Sequence, residues 1–286
     1  MSVPSTGREV GAAFRDGRVA GRGAKRSVLL RLAVALVAGS FALFAGMGAA
    51  SAEPTRVVVH VLAQGAKFIG SSVGGAEVTI RDAATGALLA HGVTSGTTGD
   101  TARIMRARHP RNRVLSTPDA ARFEAVLDID APREVVITAR GPLAAPQATA
   151  EASTRLWLLP GVDRTAGDGV LLELSGLIVA PVTPAFHTTA SAGAPVALET
   201  RLLMLCGCPI APGLLWDAAD FSLSVRVTAP DGTVTTVPLG YGGRTSHFTG
   251  SFTPPAAGVY RLEWLALQKS TGQVGRAETT LIVTAS

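Results

Sequence analysis

From residue 53 onwards, the chain consists of short runs in which apolar and polar residues alternate, separated by turn-forming residues. The runs "RVVVHVLA" (56–63), "AEVTIRD" (76–82), "RFEAVLDID" (122–130) and "VYRLEWLAL" (259–267) show this period of two. Alternation of this kind places apolar side chains on one face of a β-strand. No segment keeps an apolar stripe at helical spacing. The sequence therefore predicts an all-β protein, and the frequent turn signals favour β-sandwiches.

The first 52 residues follow a different pattern, that of a signal segment. Basic residues precede an uncharged apolar run (32–52), which ends in the small residues Ala50-Ser51-Ala52. This order is typical of a secretory signal peptide, so we expect cleavage near Ala52 and a periplasmic or secreted product. The alternative is an uncleaved anchor, since about 20 apolar residues can span a bilayer. The leader would then be the membrane contact of the protein.

Charge is distributed unevenly between this leader and the rest of the chain. Residues 1–52 hold seven of the 26 Lys and Arg residues and two of the 21 Asp and Glu residues, which leaves 19 of each sign. The mature part is therefore neutral, and this balance of charges gives no support for nucleic-acid binding.

Pro181 and Pro184 indicate a stiff link between domains. We predict a leader (1–52), a first β-sandwich (53–182) and a second, immunoglobulin-like β-sandwich (183–286).

Two stretches resemble known sandwich families. "GGAEVTIRDAATGALLAHGVT" with "ARFEAVLDIDAPREVVITARGP" is similar to transthyretin-like and carboxypeptidase-regulatory-like domains of exported bacterial proteins, over about residues 56–145. "PPAAGVYRLEWLAL" resembles the penultimate strand of immunoglobulin-like and fibronectin-type domains, over about residues 187–286. That resemblance implies a corner tyrosine at Tyr260, whose hydroxyl would bind nearby backbone. The chain also resembles exported bacterial proteins without an assigned activity, a likeness that implies no function.

An arginine-rich stretch, residues 103–122, departs from the first resemblance. It reads "RIMRARHPRNRVLSTPDAAR" and we predict it to be a long loop. One interpretation is a solvated excursion. The other is contact with an anion or an acidic partner, because guanidinium groups bind carboxylate and phosphate. The residues predicted for such a contact are Arg106, Arg108, Arg111 and Arg113.

The motif "LLMLCGCPIAPGLLW" (202–216) contains both cysteines of the chain. If residues 204–208 are extended, Met204, Cys206 and Cys208 lie on one face, and three soft sulfur ligands could bind Cu(I). A disulfide between Cys206 and Cys208 is the second interpretation, since exported proteins meet an oxidising compartment. Two packed thiols are the third. We favour the disulfide and keep the copper site as the next alternative.

The sequence motifs of zinc proteases and of nucleotide-binding enzymes are missing from the chain. It has no His-Glu-x-x-His, no phosphate-binding loop and no dinucleotide-binding glycine pattern, and its five histidines are scattered singly. We therefore predict a non-catalytic, exported binding or accessory protein with no cofactor, whose loops contact a protein or glycan partner. A copper-handling protein is the alternative. Hydrolase or thiol-redox activity is disfavoured, the latter because Cys-Gly-Cys lacks the helix N-terminus that lowers a thiol pKa.

Overall fold

The structure is a computed structural model that describes residues 52–108 and 113–285, and strands dominate it. The predicted leader lies outside these residues, so its cleavage near Ala52 stays a prediction. Helical structure in the described ranges is limited to single turns at Ser71–Val73, Ala102–Arg106, Pro146–Ala148 and Ala218–Asp220. None of these is long and apolar enough to cross a membrane.

The first sandwich contains seven strands in two sheets. They are β1 (Glu53–Ala63), β2 (Glu77–Asp82), β3 (Leu88–Val93), β4 (Phe123–Ile129), β5 (Arg133–Gly141), β6 (Ala150–Leu158) and β7 (Val170–Leu174). One sheet has the order β4-β1-β7 and the other the order β3-β2-β5-β6. Val57, Val59 and Val61 of β1 are fully buried in one core with Ile80 and Ile137 of the second sheet. The period-two pattern thus buries one face of each sheet against the other.

The second sandwich contains eight strands in one sheet that folds over on itself. They are β8 (Leu177–Thr183), β9 (Thr188–Ser191), β10 (Val196–Met204), β11 (Phe221–Thr228), β12 (Val234–Tyr241), β13 (His247–Phe252), β14 (Gly258–Gln268) and β15 (Val274–Thr284). Their order is β8-β10-β13-β12-β11-β14-β15-β9. The rings of Phe252 on β13 and Tyr260 on β14 lie 5.9 Å apart although these strands are not neighbours in the sheet. Two layers therefore share one core.

Tyr260 fixes the turn that precedes β14. Its hydroxyl donates a hydrogen bond to the carbonyl of Ala256 (2.8 Å) and accepts one from the N–H of the same residue (3.3 Å). The predicted corner tyrosine is confirmed. Beside it in the core, the indole N–H of Trp264 donates a hydrogen bond to Thr279 Oγ1 (2.9 Å), so this buried nitrogen has a hydrogen-bond partner.

Pro181 does not lie in a link, contrary to our prediction. It belongs to β8, opposite Thr200 of β10. β8 is an edge strand, where the missing N–H of proline is tolerated. The buried apolar core continues from Val57 to Val283, and residues Ser51–Ser286 form one compact unit. The all-β fold is confirmed, whereas the division at residue 182 and the transthyretin-like relationship stay predictions.

Candidate functional site

The sulfur turn (residues 204–208) is not extended, so the condition under which the three sulfur ligands would share one strand face is not met. β10 ends at Met204, whose carbonyl accepts a hydrogen bond from the N–H of Gly207 (2.8 Å) and whose N–H donates to the carbonyl of Cys208 (3.1 Å). Gly207 has a φ of +78°, a left-handed value that favours glycine. A disulfide joins Cys206 to Cys208 across this turn. The three sulfur atoms therefore do not project from one strand face.

The sulfur turn is enclosed rather than presented to solvent. Met204, Cys206 and Cys208 are 0%, 1% and 5% exposed. Within the described part of the chain, no three His, Cys, Asp or Glu side chains lie together in a way that could hold a metal ion. The copper hypothesis for Met204, Cys206 and Cys208 stays a prediction, and it needs a reduced chain because the disulfide leaves no thiolate.

The enclosure comes from the first sandwich, which the sulfur turn contacts directly. A Cβ added to Gly207 would lie 2.6 Å from Cγ1 of Val73, in the helical turn Ser71–Val73. Further along the same loop, the buried indole of Trp216 donates to the carbonyl of Gly65 (3.1 Å). Gln273 of the second sandwich donates to the carbonyl of Gln64 (3.1 Å). The cysteine motif thus forms part of a packed contact between the two sandwiches.

In its described part (residues 103–108 and 113–122), the arginine segment (residues 103–122) packs on the outer face of the sheet β4-β1-β7 and is not fully solvated. Ile104, Ala120 and Ala121 are buried with Phe68 in a separate small apolar cluster. The carboxylate of Asp168, just before β7, accepts hydrogen bonds from the N–H groups of two segment residues, Leu115 (2.9 Å) and Ser116 (2.8 Å). The base of the segment is therefore attached to the sheet.

The charge state of Asp168 supports this attachment. Burial alone would raise the pKa of its carboxyl, but the hydrogen bonds from Leu115 and Ser116 outweigh burial and hold the pKa below its ordinary value. The carboxylate therefore stays ionised at neutral pH, and charge strengthens its hydrogen bonds. Sequence reasoning missed Asp168, since an Asp between two glycines in a turn region gives no signal for a contact 53 residues away.

His60 of β1 lies beneath the segment, on the outer face of the sheet. The side chain of this residue is 3% exposed, and its ring lies 5.2 Å from that of Phe68. Nδ1 donates to the carbonyl of Asp168 (3.2 Å), and Nε2 is buried without a hydrogen-bond partner among the described residues. Burial lowers the pKa of His60, so the ring is neutral at pH 7.

The predicted anion-contact residues differ in their surroundings. Arg106 and Arg108 are exposed, and among the described residues their side chains have no ion-pair partner. Arg113 is half-buried and donates to the carbonyl of Arg108 (3.0 Å). Arg111 lies outside the described residues. Arg122, at the end of the segment, pairs with Glu124 and donates to the carbonyl of Pro118 (2.6 Å).

Comparisons with known proteins add no functional assignment. The sequence matches no protein-family model and no curated protein. The fibronectin(III)-like modules of CbhA from Clostridium thermocellum share 8% identity with it at a TM-score of 0.27, over 81% of this chain and 94% of theirs. The N-terminal four immunoglobulin domains of Dscam1 share 10% identity at a TM-score of 0.23, over 82% of this chain and 53% of theirs.

An engineered protein shares 20% identity at a TM-score of 0.29, over 44% of this chain, and the match spans only 24% of its length. Structural similarity at these TM-scores gives no information about function. The fold assignment rests instead on strand pairing within the chain: the eight strands β8 to β15 form one continuous sheet, and the contact between Phe252 of β13 and Tyr260 of β14 shows that this sheet folds over on itself. By that pairing, the chain is an all-β protein that contains an immunoglobulin-like β-sandwich.

Proposed function

We propose that this chain is an exported, non-catalytic binding protein, and that its arginine segment contacts an acidic surface of a protein or glycan partner. The observation that supports this function is the attachment of the segment to the sheet through Asp168 and the Ile104 cluster. An attached segment loses less conformational entropy on binding than a free loop. The exposed guanidinium groups of Arg106 and Arg108 supply the positive charge.

The test compares two pairs of substitutions that remove equal charge. In the first, Arg106→Gln and Arg108→Gln are combined within the segment. In the control, Arg140→Gln and Arg155→Gln remove two exposed arginines from β5 and β6 of the other sheet. Binding to a poly-glutamate peptide and to a sulfated glycan is measured by biolayer interferometry, at low salt and at about 0.5 M salt.

We expect the combined substitutions in the segment to weaken binding to one of the two probes by roughly tenfold, since each exposed contact contributes up to about 1 kcal/mol. The control pair should leave binding within about twofold of the unsubstituted chain. Equal loss in both pairs would show that total charge, and not the segment, determines binding. Binding that is unchanged at about 0.5 M salt would also reject the ionic contact.

A further inference from the structure

A groove of about 370 Å³ lies between the two sandwiches, away from the arginine segment. One wall, from the first sandwich, consists of Ser72, Val73 and residues 144–148. The other wall, from the second sandwich, consists of residues 178–181 with Leu203 and Arg201. Most of these side chains are Ala, Val, Ile, Leu or Pro. The volume and the mainly apolar lining fall within the range of small-molecule pockets.

Hydrogen bonds hold the first wall in place from both sides. The N–H of Ala144 donates to the carbonyl of Val73 (3.0 Å) within the first sandwich. On the other side, the amide of Gln147 pairs with the backbone of Glu278 in β15, accepting from its N–H (2.7 Å) and donating to its carbonyl (3.4 Å). The groove therefore exists before any ligand enters, which reduces the ordering cost of binding.

Arg201 is the charged residue of this lining, and its charge is not compensated. The side chain is exposed and has no ion pair or hydrogen bond within the described ranges. Glu199 lies on the same strand face, but its carboxylate is bound to Arg244 and His247, each at 2.6 Å. Hydrogen bonds from His247 and then from Arg244 hold the pKa of Glu199 below its ordinary value. The carboxylate of Glu199 is thus already occupied, and Arg201 remains available.

We propose that this groove binds a small amphiphilic carboxylate. Its apolar part would lie against Ile178, Leu203 and Ala145, and its carboxylate would accept hydrogen bonds from Arg201. A guanidinium group matches the planar geometry of a carboxylate with two parallel N–H donors, whereas phosphate sites gather several donors. The site uses no residue of the arginine segment, so the two proposals can fail independently.

The test is isothermal titration calorimetry of the purified chain with octanoate and with 1-octanol, which has the same apolar body without the charge. The unsubstituted chain is compared with three variants. Arg201→Gln removes the charge of the groove, and Ala180→Phe fills the groove. Arg140→Gln, which removes an exposed arginine on β5, is the control. Thermal unfolding confirms that each variant is folded. Because every variant carries the same first 52 residues, a difference between variants reports on the groove.

We expect the chain to bind one octanoate. The affinity for octanoate should be roughly tenfold weaker in Arg201→Gln and unchanged in Arg140→Gln. Ala180→Phe should abolish binding while the fold is retained. Equal affinity for octanoate and 1-octanol, no saturation at one equivalent, or equal loss in both arginine variants would overturn the proposal. An apolar tripeptide amide, which has no carboxylate, serves as the last probe. Tighter binding of this tripeptide amide than of octanoate would also overturn the proposal, in favour of a peptide ligand.

Discussion

His60 is a titratable side chain enclosed between β1 and the arginine segment, and three charged groups act on it. Burial lowers its pKa, Asp168 and Glu124 act to raise it, and Arg122 acts to lower it. The net pKa in the folded protein is below the ordinary value of 6.5. As pH falls below that value, the unfolded chain therefore takes up the proton before the folded chain does. Protonation then favours unfolding.

We expect this histidine to make the free energy of unfolding depend on pH. Its contribution is fully present above about pH 6.5 and is lost as pH falls through the lower folded pKa. In His60→Gln, the free energy of unfolding by urea should change less between about pH 7 and pH 5 than in the unsubstituted chain. His91→Gln, which changes a half-exposed histidine on β3, is the control. The same pH slope in His60→Gln and the unsubstituted chain would contradict the expectation.

At the scale of elements, the arginine segment and the sulfur turn are both attached to a sheet or sandwich distant in sequence. The segment gains its order from one carboxylate and a small apolar cluster. The sulfur turn gains its position from Val73 and neighbouring backbone. The interpretations from sequence had treated both stretches as local units: a long loop for the arginine segment, and a disulfide-closed turn or a strand face for the sulfur turn.

Asp168→Asn should loosen the arginine segment. The amide has no charge, and its NH2 group takes the place of the Oδ2 atom that accepts from the N–H of Leu115 (2.9 Å), so two donors face each other there and the remaining hydrogen bonds to the neutral oxygen are weaker. We expect a loss of roughly 1–2 kcal/mol in the free energy of unfolding and faster cleavage by trypsin after the segment arginines. Asp128→Asn, an exposed carboxylate on β4, is the matched control. Equal trypsin cleavage rates in the two variants would show that Asp168 does not order the segment.

At the scale of the whole molecule, the contact between sandwiches determines how the chain behaves as one unit. It includes the Gly207 and Trp216 contacts near the sulfur turn, the hydrogen bond from Gln273 to Gln64, and the hydrogen bonds of the Gln147 amide with β15. These contacts come from separate parts of the second sandwich, the loop after β10 and the strand β15, so the two sandwiches should unfold together.

Gly207→Ala tests this contact, with Gly213→Ala as its control. Both glycines have a positive φ (+78° and +72°), so both substitutions incur the left-handed cost of about 1–2 kcal/mol. Only at Gly207 would the added methyl meet Val73; at Gly213 nothing lies within 4 Å. We expect Gly207→Ala to lower the free energy of unfolding by about 1 kcal/mol more than the control does.

Val73→Ala completes a double-mutant cycle for this pair. Combined with Gly207→Ala, it should remove the extra loss, because the methyl group then has room. Urea denaturation measures all four variants. Equal losses in Gly207→Ala and Gly213→Ala, with no coupling to Val73, would mean that the turn is not held by the first sandwich.

Local sequence pattern was sufficient to predict the strands and the turns, and the resemblance to immunoglobulin-like domains implied the corner tyrosine. Period-two alternation and turn residues act between near neighbours, so the faces of β1, β2, β4 and β14 could be assigned from local pattern alone. Tyr260 binds Ala256, four residues away, which is also a local contact.

Which surfaces distant in sequence meet could be seen only from the folded chain. Asp168 reaches Leu115 over 53 residues, Trp216 reaches Gly65 over 151, and Gln147 reaches Glu278 over 131. No local pattern encodes such pairs, because they depend on how segments, sheets and sandwiches that are distant in sequence pack against one another. The same packing leaves Arg201 beside an apolar groove, although in the sequence it is one arginine on an ordinary strand.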